Sequence, residues 1–113
     1  MKRYRAVFHL TENERANLAL NNVRNLLAEI GEDQVEAEVV ANSDGVKALL
    51  KTGPYGDRIG ELAARGVRFV ICSKSIKAMK LEEGEFLDLV EVVPTGTGEV
   101  VKKQTDGWAY VRP

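Results

Sequence analysis

Apolar residues along this chain follow two spacings, and each change of spacing marks an element. Tyr4 to Leu10 (YRAVFHL) is a compact run with Ala6, Val7, Phe8 and Leu10 as its apolar bulk, and predicts a first strand. Ala16, Ala19, Leu20, Val23, Leu26, Leu27 and Ile30 then recur at helical spacing until Gly31 stops them. Thr11, with Glu14 following, matches a capping box that would satisfy the first free N–H groups of that helix. Val35 to Asn42 (VEAEVVAN) alternates and then turns apolar, as in a strand more exposed at its start. Asn42 to Gly45 is a turn, Val46 to Leu50 a short helix ended by Gly53 and Pro54, and Asp57 to Arg65 a further helix presenting Ile59, Leu62 and Ala63.

Val67, Phe69, Val70 and Ile71 follow Gly66 as a strand covered on both faces, and Cys72 ends it. Ser73 or Ser75 can cap the next helix, which carries Ile76 and Met79 on one side and Lys74, Lys77 and Lys80 off that side. After an acidic loop, LEEGEF, the pattern predicts a strand over Leu87 to Pro94, a TGTG loop, a helix over Glu99 to Gln104, and a closing strand in WAYVRP. Strands that alternate with helices in this way give a three-layer α/β/α fold with a mainly parallel, five-stranded sheet, spanning residues 1–113 as one domain.

Charge narrows the function classes. Sixteen basic residues stand against 17 acidic, a formal net charge of −1, so no general affinity for nucleic acid or an anionic membrane is expected. No stretch has transmembrane length and the N-terminus is too short in apolar residues for a signal peptide. A single cysteine excludes an internal disulfide and a zinc site built on paired cysteines, and suits a reducing, cytoplasmic setting. No G-x-S-x-G, C-x-x-C, H-E-x-x-H or EF-hand pattern is present, so neither a metal nor another cofactor is expected.

In a parallel sheet the strand C-termini share one edge, and ligands bind there where the strand order reverses. That edge collects His9, Thr11 and Asn13, then Asn42 and Asp44, then Cys72, Ser73 and Lys74, and finally Thr95 to Gly98. Cys72 is the candidate nucleophile, because a helix N-terminus and the ammonium of Lys74 or Lys77 would favour thiolate. His9 is the candidate proton carrier, and Asn13, Asn42, Thr95 and Gly96 are candidate ligand contacts. Each residue has a plainer reading. Cys72 can be a small apolar filler, His9 a hydrogen-bonded strand residue, the lysines solvated charges, and the asparagines of the first helix a wetted face.

AVFHLTEN, LNNVRNLL, GVRFVIC, VVPTG and QTDGWAYVRP, in that order, resemble the DsrE/DsrF-like family in its small stand-alone branch. The resemblance implies a parallel five-stranded α/β fold, a homo-oligomer (trimer or hexamer), and a link to intracellular sulfur transfer between donor and acceptor proteins. In sulfur-relay members a persulfide is carried on the cysteine that matches Cys72, and only that role is carried over. After Cys72, the segment SKSIKAMKLEEGE departs from the sulfite-reductase-associated and tRNA-thiolation members. Two functions follow as expectations: a sulfur carrier acting through Cys72, or a non-catalytic oligomeric protein that holds a small anion and uses Cys72 structurally.

Overall fold

One sheet of five parallel strands, in the order β4-β3-β2-β1-β5, organises the computed structural model, which describes residues 2–113. The strands are β1 (Tyr4–Leu10), β2 (Val35–Ala41), β3 (Arg68–Cys72), β4 (Glu91–Val93) and β5 (Ala109–Val111). The helices are α1 (Ala16–Ile30), α2 (Gly56–Ala64), α3 (Ser73–Ala78) and α4 (Gly96–Thr105). The chain steps outward from β1 to β4 and then returns under α4 to place β5 beside β1.

The period of two along each strand divides the sheet's side chains between two cores. Ala6, Phe8 and Leu10 of β1, Ala37 and Val39 of β2, and Phe69 and Ile71 of β3 join Leu20, Val23 and Leu27 of α1 and Ile59 of α2 in the larger core. Val7, Val40 and Val70 face the other way and meet Val100 of α4 and Trp108, with the partly buried Val93 packed beside them. α4 is the helix that covers this second face.

Several local expectations are corrected. No capping box forms at α1. A 3-10 turn, Asn13–Arg15, precedes it, while the Asn13 N–H donates to Asp44 from the loop after β2 at 2.8 Å. That loop is a 3-10 helix over Ser43–Leu49, pressed so close to β1 that a Cβ on Gly45 would lie 2.1 Å from the Leu10 carbonyl oxygen. β4 is three residues long, because Leu87 and Val90 pack into the larger core ahead of it rather than pairing with β3. The TGTG segment is no loop: Thr95 caps α4 by accepting from the Gly98 N–H at 2.9 Å, so the helix begins at Gly96.

Glu38 departs furthest from the expectation that β2 starts out exposed. Its side chain is fully buried under α4, where Arg68 donates to Oε1 at 2.7 Å and Lys103 approaches the same oxygen at 3.7 Å.

Candidate functional site

The candidate site lies on the α4 face, at the C-terminal edge of the sheet. Val40 pairs with Val70 and Cys72 with Val93, so alternation puts Cys72 on the face that α4 covers. Cys72 itself stands at the N-cap position of α3, and neither Ser73 nor Ser75 caps that helix with its side chain. The expected capping serine is displaced because the chain turns into the helix directly from the strand.

Ser75 is turned to other work. Its hydroxyl oxygen accepts from the Ser43 N–H at 2.7 Å, which leaves the hydroxyl proton free for the Cys72 sulfur. Ser43 has φ 53°, a left-handed conformation that turns its N–H toward α3. The cysteine is buried, at 5% exposure, yet it belongs to neither apolar core. Burial pushes its thiol up. The Ser75 hydroxyl and the backbone N–H groups of Gly96, Ser75 and Lys74 outweigh that effect and hold the pKa below the ordinary thiol value. The directed bonds of the site run between the neighbours of the sulfur, and these groups act on it as aligned dipoles from the N-termini of α3 and α4.

Lys74 thus reaches the sulfur through its backbone. Its side chain is exposed, and no ammonium is among the groups that shift the thiol. Lys77 is exposed as well, beside a cavity of about 140 Å³ that Ser73, Ile76, Leu81 and Glu82 also line.

His9, on β1, stands two strands away from the cysteine, with β2 between them. Its Nε2 lies 3.1 Å from the Asn42 Oδ1 and its Nδ1 2.7 Å from the Tyr110 hydroxyl. An amide oxygen can only accept, so Nε2 carries the hydrogen and Nδ1 takes the tyrosine proton. Burial lowers the histidine pKa most; the Asn42 bond opposes it, and the positive charge of Arg112 lowers it further. The ring is neutral near pH 7.

Asn42 connects this histidine to the sulfur's surroundings. Its side chain packs against Gly96, where a Cβ would stand 2.9 Å from the Asn42 Cβ and 3.2 Å from its amide nitrogen. Tyr110, His9, Asn42, Gly96 and Cys72 thereby form one line of contacts across the edge. Asn13 is outside it, held through its own backbone by Asp44, and Thr95 contributes as the cap of α4. Among the described residues no group of three His, Cys, Asp or Glu side chains is disposed to hold a metal.

The DsrE/DsrF-like family matches residues 4–113 of this chain. The chain belongs to the DsrE/DsrF-like family. Among solved structures of similar fold, MTH1491 from Methanobacterium thermoautotrophicum, described as a protein of unknown function, is 43% identical with a TM-score of 0.92. The match covers 97% of this chain and 99% of that one. The ychN protein from E. coli superimposes with a TM-score of 0.82 over 97% of this chain and 99% of its own, at 14% identity, a likeness of fold alone. No curated protein matches.

For this member of the DsrE/DsrF-like family, sequence reasoning missed Ser75 as a donor to the sulfur and Tyr110 as a partner of His9. A serine three residues after a strand-ending cysteine was a usable signal. Nothing local marked Tyr110, which lies 101 positions from His9.

Proposed function

We propose that the protein is a sulfur carrier in which Cys72 holds a sulfane sulfur as a persulfide. Support comes from one observation: the only cysteine is buried among N–H and O–H donors rather than hydrocarbon, and its thiol is shifted toward thiolate. Membership of a family linked to sulfur relay points the same way.

The chemistry needs one sulfur and no external oxidant. The Cys72 thiolate attacks the outer sulfur of a donor persulfide, R–S–SH; the Cys72–S bond forms, the R–S bond breaks, and RS⁻ leaves and takes up the proton released by the thiol. One S–S bond is exchanged for another, so there is no net oxidation. Discharge reverses the roles: an acceptor nucleophile attacks the same outer sulfur and Cys72 leaves as thiolate. A thiol of lowered pKa is a good leaving group, and the donors that favour its anion serve both half-reactions. His9 and Asn42 keep Gly96 in place, Thr95 fixes the first turn of α4, and Asn13 ties the neighbouring loop to Asp44.

The partners in this reading are a sulfur donor and a sulfur acceptor, both proteins of the cytoplasm, and the carrier itself is a homo-oligomer, a trimer or hexamer. Exposed Tyr4, Val92 and Val101 supply apolar surface for such assembly. No described helix is long and apolar enough to cross a membrane.

A second reading, a binding or regulatory protein with a structural Cys72, has the low exposure of that residue in its favour. One pair of measurements separates the two. After incubation with a small persulfide donor, intact mass should rise by one sulfur atom in the wild type and not in Cys72→Ser. Alkylation of Cys72 should accelerate at a pH below that of an ordinary thiol. An unchanged mass together with a slow, ordinary alkylation profile overturns the carrier reading and leaves the binding one.

A further inference from the structure

We infer that Glu38 and Glu99 share one proton beneath α4, and that this proton seats Gly96 against the Cys72 sulfur, making the two carboxyls positioning residues for the site. The inference builds on the reading of Cys72 as the reactive centre. Its first test does not use sulfur chemistry.

Glu38 has no exposed surface, and while its Oε1 accepts from Arg68, its Oε2 has no donor among the described residues. An orphaned, buried carboxylate oxygen is costly. The nearby side chain on α4 that can answer it is Glu99, another carboxyl. Two carboxylates present only acceptors to each other, and a proton on one of them turns the approach into a hydrogen bond.

The charges facing this point agree. β3 supplies Arg68 and β4 supplies Glu91, which pairs with Arg68. α4 supplies Glu99 and Lys103, with Lys103 at 3.9 Å from Glu99 and 4.7 Å above the Trp108 ring, while Lys102 acts on Glu99 from the next position. β1 presents Val7 in register with Glu38. Arg68, Glu91 and Lys102 reach solvent, whereas Glu38, Glu99 and Lys103 are largely withdrawn from it, so a single bound proton makes that inner trio neutral. Burial, followed by the bond and the charge of Glu99, pushes the Glu38 carboxyl up to about 8 and Glu99 takes the anionic part.

The route to the sulfur is short. Glu99 lies three residues beyond Gly96 on the same helix, a rise of about 4.5 Å, and so on the same side of the first turn. Gly96 has no slack toward Asn42, so α4 must withdraw when its seat loosens. Loss of the shared proton sets two carboxylates against each other one turn away, and the Gly96 N–H retreats from the sulfur.

The test follows the Gly96 amide by NMR in the Cys72→Ser protein, where no thiol titrates. Its resonance should move between pH 6 and 10 with the midpoint of the Glu38 carboxyl resonance, and should stay flat in Cys72→Ser with Glu38→Gln, whose amide supplies the hydrogen permanently. In the otherwise wild-type chain, Glu38→Gln should raise the ratio of thiolate to thiol above pH 8 by about fivefold, the low end of couplings between sites. A Glu38 carboxyl that titrates in the ordinary range overturns the proposal. So does a flat Gly96 resonance while Glu38 titrates, a result readable without any Glu38 variant. Failed persulfide loading with Gly96 still titrating counts against the carrier reading and leaves the shared proton standing.

Discussion

Gly96 stands where no side chain fits: its missing Cβ would sit 2.9 Å from the Cβ of Asn42. The opposing atom belongs to a stem fixed by β2, so accommodation must come from α4. Gly96→Ala is expected to destabilise the protein by about 1–3 kcal/mol, the usual cost of overpacking. It should also displace the N–H that acts on Cys72, which shows as an upward shift of the thiol pKa followed by thiolate absorbance. Intact stability with an unchanged thiol titration would refute the close fit.

Ser75→Ala should raise the Cys72 pKa more than Lys74→Ala does. The first removes the hydroxyl that is the strongest influence favouring the thiolate, whereas the second keeps the backbone N–H that acts on the sulfur. Alkylation rate against pH orders the two variants. A larger effect of Lys74→Ala would mean that the ammonium does what the donors are held to do.

His9 is expected to titrate below its ordinary 6.5, and its nitrogen resonances should show the Nε2–H form above that pH. A histidine whose folded pKa lies below its unfolded value binds fewer protons when folded, so its share of stability is lost as pH falls through 6.5. Tyr110→Phe removes the hydroxyl bonded to Nδ1 and should cost about 1 kcal/mol, read from denaturant midpoints above pH 6.5.

Glu38 gives the opposite slope. Its carboxyl goes from 4.5 unfolded to about 8 folded, so the folded chain holds one extra proton between those values and stability falls as pH rises across them. From pH 6.5 to 8 the neutral His9 drops out of the balance. Wild type should lose up to about 1.4 kcal/mol per pH unit there relative to Glu38→Gln. Denaturant midpoints at several pH values check it, and parallel pH profiles for the two proteins would count against a protonated Glu38.

Elements whose apolar residues repeat locally were legible before any coordinates. The stripe from Ala16 to Ile30 and the run from Val67 to Ile71 needed only their own periods, and both form as expected. β4 was overextended, since an apolar run does not reveal whether its bulk goes to a strand partner or, as with Leu87 and Val90, into a core. The start of α4 was missed because Gly96 and Gly98 are poor helix formers that only the Thr95 cap and the pressure of Asn42 justify. The site shows the same division: Cys72 and His9 announced themselves by type and place, while Ser75 and Tyr110 acquired roles from partners far along the chain.

The amino-acid order by itself determined the alternation of strands and helices and the edge at which Cys72 stands, because both follow from backbone geometry acting over a few residues. Only the tertiary structure decided what surrounds the sulfur and that Glu38 is buried. The return of the chain under α4 brings residues 96–103 over β2 and β3, and a charge or a dipole takes its strength from the neighbours that such a return supplies.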